Sequence, residues 1–162
     1  MPNIVLDSDF LSSFLKVARC ELIRSLYEVE RVVIPAAVHR ELAQTDLLPR
    51  LLETEWIQGS SGEPPPDDFL LGNPAFEALG RGEQACIVLA LATDDALLLM
   101  SDNLARRFAQ SLGIVVVNIP AFLLACKTSG LVGPEQMARI IDDLKAKDYY
   151  DFKDKVRQIL LS

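Results

Sequence analysis

The chain is poor in the side chains that many enzyme classes depend on. One histidine and three cysteines stand among 162 residues, too few for a histidine-rich metal cage or a multi-histidine catalytic relay. Cys20, Cys86 and Cys126 are odd in number, widely spaced and each set in an apolar helical stretch. That pattern argues against both a disulfide framework and a zinc knuckle and makes them small core residues. No apolar run reaches the length of a membrane span, and Met1-Pro2-Asn3 lacks the basic and apolar segments that open a secretory signal. The expected location is the cytoplasm, with no membrane partner. Positive charge is scarce too: 16 Lys and Arg face 23 Asp and Glu, a net charge of −7. Nucleic-acid binders rest on Lys and Arg neutralising phosphates. Any such binding here must come from local arginine clusters or from cations that offset a pocket of acids. Chemistry is left to carboxylates, amides, hydroxyls and arginines.

Apolar residues make up 50% of the chain, and its length suits one domain with a substantial core. Two apolar runs end in the same chemistry: Ile4-Val5-Leu6 meets Asp7-Ser8-Asp9, and Leu97-Leu98-Leu99-Met100 meets Ser101-Asp102-Asn103. A short apolar run that stops at carboxylates and gives way to a helical pattern reads as a buried parallel strand. Open α/β sheets place their sites at such carboxyl ends. If the two strands are neighbours, Asp7 and Asp102 converge, and converging carboxylates call for a hard cation.

The rest of the chain alternates in the same way. Spacing predicts a helix over 9–18 with Asp9 as N-cap, another near 20–28, a strand at Arg31–Ile34, and a helix from Pro35 through Leu42. A further helix over 45–53 and a short edge strand at Trp56-Ile57 follow. The Gly-, Ser- and Pro-rich tract from Gly59 to Pro66 is a surface loop. Ala85 to Ala92 reads as a helix, then the Leu97 strand, then a helix over 103–111 with Leu104, Phe108 and Leu112 inward. Ile114 to Val117 reads as the next buried strand, Pro120 and Pro134 each open a helix, and an amphipathic stretch covers 151–161. Strands alternating with helices imply an α/β fold, a parallel sheet covered on both faces with right-handed crossovers.

Four acids stand at element ends or in first turns: Asp7, Glu41, Glu83 and Asp102. With Asp7-Ser8, Ile34-Pro35-Ala36-Ala37-Val38-His39-Arg40-Glu41-Leu42, Leu79-Gly80-Arg81-Gly82-Glu83-Gln84-Ala85 and Met100-Ser101-Asp102-Asn103-Leu104-Ala105-Arg106-Arg107-Phe108-Ala109, the chain resembles the PIN-domain family of metal-dependent ribonucleases, which includes toxins of the VapC type. Leu112 to Val117 and the closing helices resemble a poorly characterised branch of it. The ordered set extends over essentially the whole chain. It implies a single three-layer α/β/α domain over residues 1–162, with 131–162 as a C-terminal helical extension.

The resemblance further implies Mg²⁺ or Mn²⁺ held by Asp7, Glu41, Glu83 and Asp102, RNA as substrate, a small antitoxin as partner and a homodimer. Phosphodiester hydrolysis needs an activated water and relief of developing negative charge, which such ions supply through oxygen ligands. Asn103 stands where many relatives carry another Asp, and a neutral amide is a weaker ligand, so the site is either complete with fewer metals or weakened into a binding module. Asp9 stands where relatives more often have a small or amide residue, and adds a ligand or caps a helix. Arg106, a turn beyond the pocket, is a candidate phosphate contact. Phe10, Phe14 and Leu15, or the closing amphipathic helix, are expected to supply partner interfaces.

Each acid also has a plain structural use. Asp7 and Asp9 together exceed what one helix cap needs, which favours a site role for Asp7 and capping for Asp9. Glu83 also suits a helix dipole, Glu41 a solvated face, and Asp102 competes with Asn103 for an N-cap. His39 reads as a helix-surface residue and Trp56 as packing. A receiver-like phosphoacceptor fits poorly, because the second strand ends in Ile34-Pro35 and no Lys follows Val117.

Overall fold

In the computed structural model, which describes residues 2–62 and 64–162, five strands form one parallel sheet. They are β1 (Asn3–Leu6), β2 (Val32–Ile34), β3 (Ile57–Gly59), β4 (Ala96–Leu99) and β5 (Val115–Val117), in the order β3-β2-β1-β4-β5. Ile4, Val5 and Leu6 are all buried, as are Leu97, Leu98 and Leu99. Consecutive residues of a strand point to opposite faces, so burial of all three means that helices cover both faces. This is the expected α/β architecture.

Eleven helices are seen among the described residues: α1 (Ser8–Lys16), α2 (Glu21–Tyr27), α3 (Ala36–Ala43), α4 (Leu48–Glu53), α5 (Asp68–Leu71), α6 (Pro74–Glu77), α7 (Arg81–Leu91), α8 (Asn103–Ser111), α9 (Ile119–Thr128), α10 (Pro134–Asp148) and α11 (Asp154–Leu161). The chain builds outward from β1 to β2 and β3, then returns to the other side of β1 for β4 and β5. The strand order therefore reverses between β1 and β4, where sheets of this kind open a crevice. Leu6 pairs with Leu99, and the Asp7 amide donates to the Leu99 carbonyl at 3.0 Å. The two acid-bearing strands are neighbours, which the sequence left as a condition.

Several expectations give way. Phe10, Phe14 and Leu15 are buried, not available as an interface. Phe10 stacks on Phe14 at 5.2 Å between ring centroids, and Phe122 meets both edge-on at 5.6 and 5.2 Å. Their helical spacing marked an apolar face, and that face turns to the core. Leu104 is 62% exposed, because Ala105 and Ala109 set the inward face of α8. Val115 is 61% exposed because β5 is an edge strand rather than a buried one. Helix α1 starts at Ser8 with Asp7 at the N-cap position, so Asp9 lies inside the first turn and does not cap. Helices α5 and α6, four residues each, fall where no periodicity can register. They are started by Asp67 and Asn73, whose side chains accept from the Leu70 and Ala75 amides. Glu63, in the tract read as a loop, lies outside the described residues.

The three cysteines are buried and free, as their apolar settings predict. Helix α10 packs on α1 and α9, with Ile140, Ile141 and Leu144 buried, and α11 packs on α9 and α10. Among the described residues no helix is long and apolar enough to cross a membrane.

Candidate metal centre

Asp7 follows β1 at the switch point of the sheet. The carboxyl end of β1 carries its side chain inward, where it is 1% exposed. Its Oδ2 is buried without a hydrogen-bond partner, while Oδ1 faces the Cys86 thiol at 3.8 Å. That thiol is itself 3.5 Å from the Leu6 carbonyl oxygen. Desolvation is the largest influence on Asp7 and the negative charge of Asp9 the next; with Glu83 and Glu41 they push its pKa up to about 7, against the pull of the Ser8 amide. A buried carboxylate with an orphaned oxygen is costly unless something positive or protic fills the place.

Helix α7 brings two further groups. Glu83 is half-buried in its first turn, and Oε1 accepts from the Gly80 amide at 2.9 Å, one half of a capping box whose other half Gly80 cannot supply. Burial raises the Glu83 pKa; the Gly80 hydrogen bond opposes this, and Asp102, Asp9 and Glu41 add to it. Gly82 is the other contribution. An added Cβ there would stand 2.5 Å from Glu41 Oε1, so only a bare backbone lets α3 and α7 bring Glu41 to this place. Ser8 Oγ fixes the other oxygen, donating to Glu41 Oε2 at 2.6 Å.

Asp102 sits at the N-cap of α8 and its Oδ2 accepts from the Ala105 amide at 2.9 Å. Asn103 Oδ1 accepts instead from Arg106 Nη2, which ties up the amide oxygen and braces the guanidinium. Asp9 belongs to the same field. Burial raises its pKa, followed by the charges of Glu41, Asp102 and Asp148, with Lys16 opposing. Asp9 and Glu83 thus link the two strand ends electrostatically: each feels Asp102 and Glu41, and each acts on Asp7.

These are oxygen donors of the kind hard divalent cations take. The orphaned Asp7 Oδ2 fits such an ion. Among the described residues, however, no three His, Cys, Asp or Glu side chains are drawn together tightly enough to form a ready-made cage. Glu41, Glu83 and Asp102 each keep one oxygen on a protein donor, and like charges hold one another apart.

Sequence reasoning missed Ser8 and Gly82 as supports for Glu41, and Asp148, which reaches Asp9 from the end of α10. Ser13 and Lys16 hold Asp148 through bonds of 2.6 and 2.9 Å. They follow Asp9 at positions i+4 and i+7, one helical face, which was a readable signal. Nothing in the spacing of Asp148 pointed to it.

A parallel sheet with acidic side chains gathered about its switch point is the class these observations define. A family model for the PIN domain, DUF3368, matches residues 3–162. The chain belongs to the PIN-domain family. No curated protein matches it in sequence. Among solved structures it is similar to a domain of a functionally unknown protein from Methanocaldococcus jannaschii DSM 2661, at 14% identity over 74% of this chain and 91% of that one, with a TM-score of 0.45. A likeness that distant carries no argument about activity.

Proposed function

We propose that this protein is a metal-dependent ribonuclease of PIN type that hydrolyses RNA phosphodiester bonds. The observation that carries the reading is Asp7, a buried carboxylate with an unpartnered oxygen, ringed by the charges of Asp9, Glu83 and Glu41. Capping does not explain it, since its side chain makes no cap hydrogen bond. Mg²⁺ or Mn²⁺ held by Asp7, Glu41, Glu83 and Asp102 would supply charge to the scissile phosphate and activate the attacking water. Asp7 presents the innermost oxygen. Ser8 holds one oxygen of Glu41, and the bare backbone of Gly82 leaves room for the other against α7. Arg106, braced by Asn103, would contact the RNA backbone beside the reacting phosphate.

PIN domains include toxins of toxin–antitoxin pairs, and we extend the reading to a toxin acting in the cytoplasm, restrained by a small antitoxin and assembled as a homodimer. With Phe10, Phe14 and Leu15 buried, Ile159 and Leu161 on α11, 52% and 41% exposed, are the apolar residues of the closing helix left for those contacts. A second reading, a weakened binding module, draws support from Asn103, whose oxygen is already spent on Arg106.

Incubation with single-stranded and structured RNAs in Mn²⁺, beside Asp7→Asn and Asp102→Asn, separates the two. Cleavage lost in both variants is the expected result. Cleavage that persists unchanged in both removes the site. Metal binding without cleavage of any RNA favours the module.

A further inference from the structure

Helices α3 and α7 share a second cavity, of about 290 Å³. Arg40 of α3 and Arg81 of α7 both line it, over an apolar wall that includes Val88, Pro64 and Pro66. Arg40 precedes Glu41 and Arg81 precedes Gly82, the pair through which the two helices touch. None of the four proposed metal ligands lines the cavity, and neither does any other Asp or Glu among the described residues. Its volume lies just under the roughly 300–1,000 Å³ of pockets that take drug-sized ligands, which is room for one small molecule or one chain end.

Other arginines of the chain are committed. Arg24 and Arg157 close on Glu21 and Asp151, Arg50 on the Leu15 and Lys16 carbonyls, and Arg106 on Asn103. Arg40 and Arg81 make no hydrogen bond or ion pair among the described residues. Neither is among the groups that chiefly set the pKa of Asp7, Asp9 or Glu83, so their charge is not spent on the metal centre. A lone exposed arginine is ordinarily just solvated. Two that share one cavity repel each other, and in a chain of net charge −7 no acid of the lining is set between them. The walls are also in place before any ligand arrives. Gln84 Nε2 donates to the Phe76 and Leu79 carbonyls at 3.0 and 3.1 Å, which ties α7 to the segment before it, and the two prolines have a fixed φ, so little freedom is lost on binding.

We propose that this cavity is a phosphomonoester site, in which Arg40 and Arg81 together hold the terminal phosphate of a nucleotide. A phosphate monoester carries roughly −1.5 to −2 charges near pH 7 and three free oxygens. A phosphodiester within a chain has a single charge. Two guanidiniums, each a planar fork of donors, match the monoester. Val88 and the prolines offer the attached sugar and base apolar surface rather than further charge. The same phosphate is found on a free mononucleotide and on the end of an RNA chain. Naming a nucleotide rests on the ribonuclease reading; the phosphate site itself does not.

The test is run in EDTA, which keeps metal out of the acidic centre. Calorimetry compares 5′-AMP and 3′-AMP with adenosine, and fluorescence anisotropy compares labelled RNA octamers ending in a 5′- or 3′-phosphate with the same octamer ending in hydroxyls. A phosphate-bearing probe should bind at least about ten-fold tighter than its phosphate-free partner, the scale of hydrogen bonds to a charged group. Arg40→Gln and Arg81→Gln, both at exposed positions, should each erase most of that preference. Arg40→Lys keeps the charge without the fork and should restore only part of it. Arg31→Gln, at an exposed position outside the cavity, should leave it intact. A preference confined to the mononucleotides assigns the site to a free nucleotide, and one shown by the octamers assigns it to the chain end. Equal binding with and without phosphate in both comparisons, a preference untouched by either cavity glutamine, an equal loss in Arg31→Gln, or no binding of any phosphate-bearing probe would each overturn the site. Parent cleavage of RNA in Mn²⁺ is read separately. Cleavage without a phosphate preference ends the phosphate site alone, and the preference without cleavage keeps that site and ends the ribonuclease.

Discussion

Glu41 lies against the bare backbone of Gly82, its Oε1 only 2.5 Å from where a Cβ would stand and its Cδ 3.1 Å away. The atom in the way is the end of a flexible side chain, so Gly82→Ala would displace Glu41 rather than break the helix. Alanine favours a helix by about 0.5–1 kcal/mol over glycine, and loss of the Ser8 bond to Glu41 removes a comparable amount. Folding stability should therefore change by less than about 1 kcal/mol in urea denaturation. Mn²⁺ affinity by calorimetry should fall roughly 10–100-fold, as when the outer partners of metal ligands are lost. Unchanged affinity would mean that Glu41 is not a ligand.

Asp7 makes the metal-free protein sensitive to pH in an unusual direction. Its pKa is about 7 in the fold against an ordinary 3.8. Between those values the folded chain keeps a proton that the unfolded chain has released, so stability falls as pH rises. The contribution is fully present below 3.8 and gone above about 7, a span on the order of 4 kcal/mol. Asp9 and Glu83 are shifted in the same direction and add to the slope. Urea midpoints in EDTA between pH 5 and 8 should decline for the parent and decline much less for Asp7→Asn, which should be the more stable protein at pH 8. Mn²⁺ should raise the parent's midpoint at pH 8 and leave the variant's unmoved. Parallel pH profiles would show that Asp7 does not carry the strain.

The two acid-ended strands were legible because both carry the same grammar, an apolar run stopped by acid, and parallel burial makes such runs nearly continuous; their pairing came only with the structure. Glu41 and Glu83 were not legible from the strands and entered through the family resemblance. Gly82 could not be weighed at all, since its role is an absence of atoms opposite a residue 41 positions earlier. Phe10 and Phe14 show the opposite limit. Their spacing marks an apolar face, but spacing does not say whether that face meets the core or a partner, and only the position of Phe122 decides it.

Phe14→Ala tests that decision. A ring at 0% exposure with two aromatic neighbours should cost about 3–5 kcal/mol when removed, through lost burial and a cavity. An exposed interface residue would cost about 0.5 kcal/mol or less in the monomer. A thermal or urea measurement at low protein concentration distinguishes the two, and a small loss there would return Phe14 to the surface.

Glu83 and Asp102 each serve a helix and, by proposal, a metal, and conservative amides can separate the two uses. Asparagine caps a helix as well as aspartate does, and glutamine serves at the third position of a capping box as well as glutamate. Asp102→Asn should then keep the bond from the Ala105 amide, and Glu83→Gln the bond from the Gly80 amide. Glu83→Gln also forfeits a charge at the start of α7, worth about 0.3–1 kcal/mol. It simultaneously removes the burial and repulsion that raise the Glu83 pKa, so its stability in EDTA should be equal to the parent's or higher. Alanine at either position should lose about 0.5–2 kcal/mol. RNA cleavage in Mn²⁺ should fall in both amide variants by more than the 10–100-fold typical of changes to a ligand's outer partners. If both amides keep the parent's stability and its cleavage rate, the two acids are helix caps alone, and the metal centre contracts to Asp7 and Glu41.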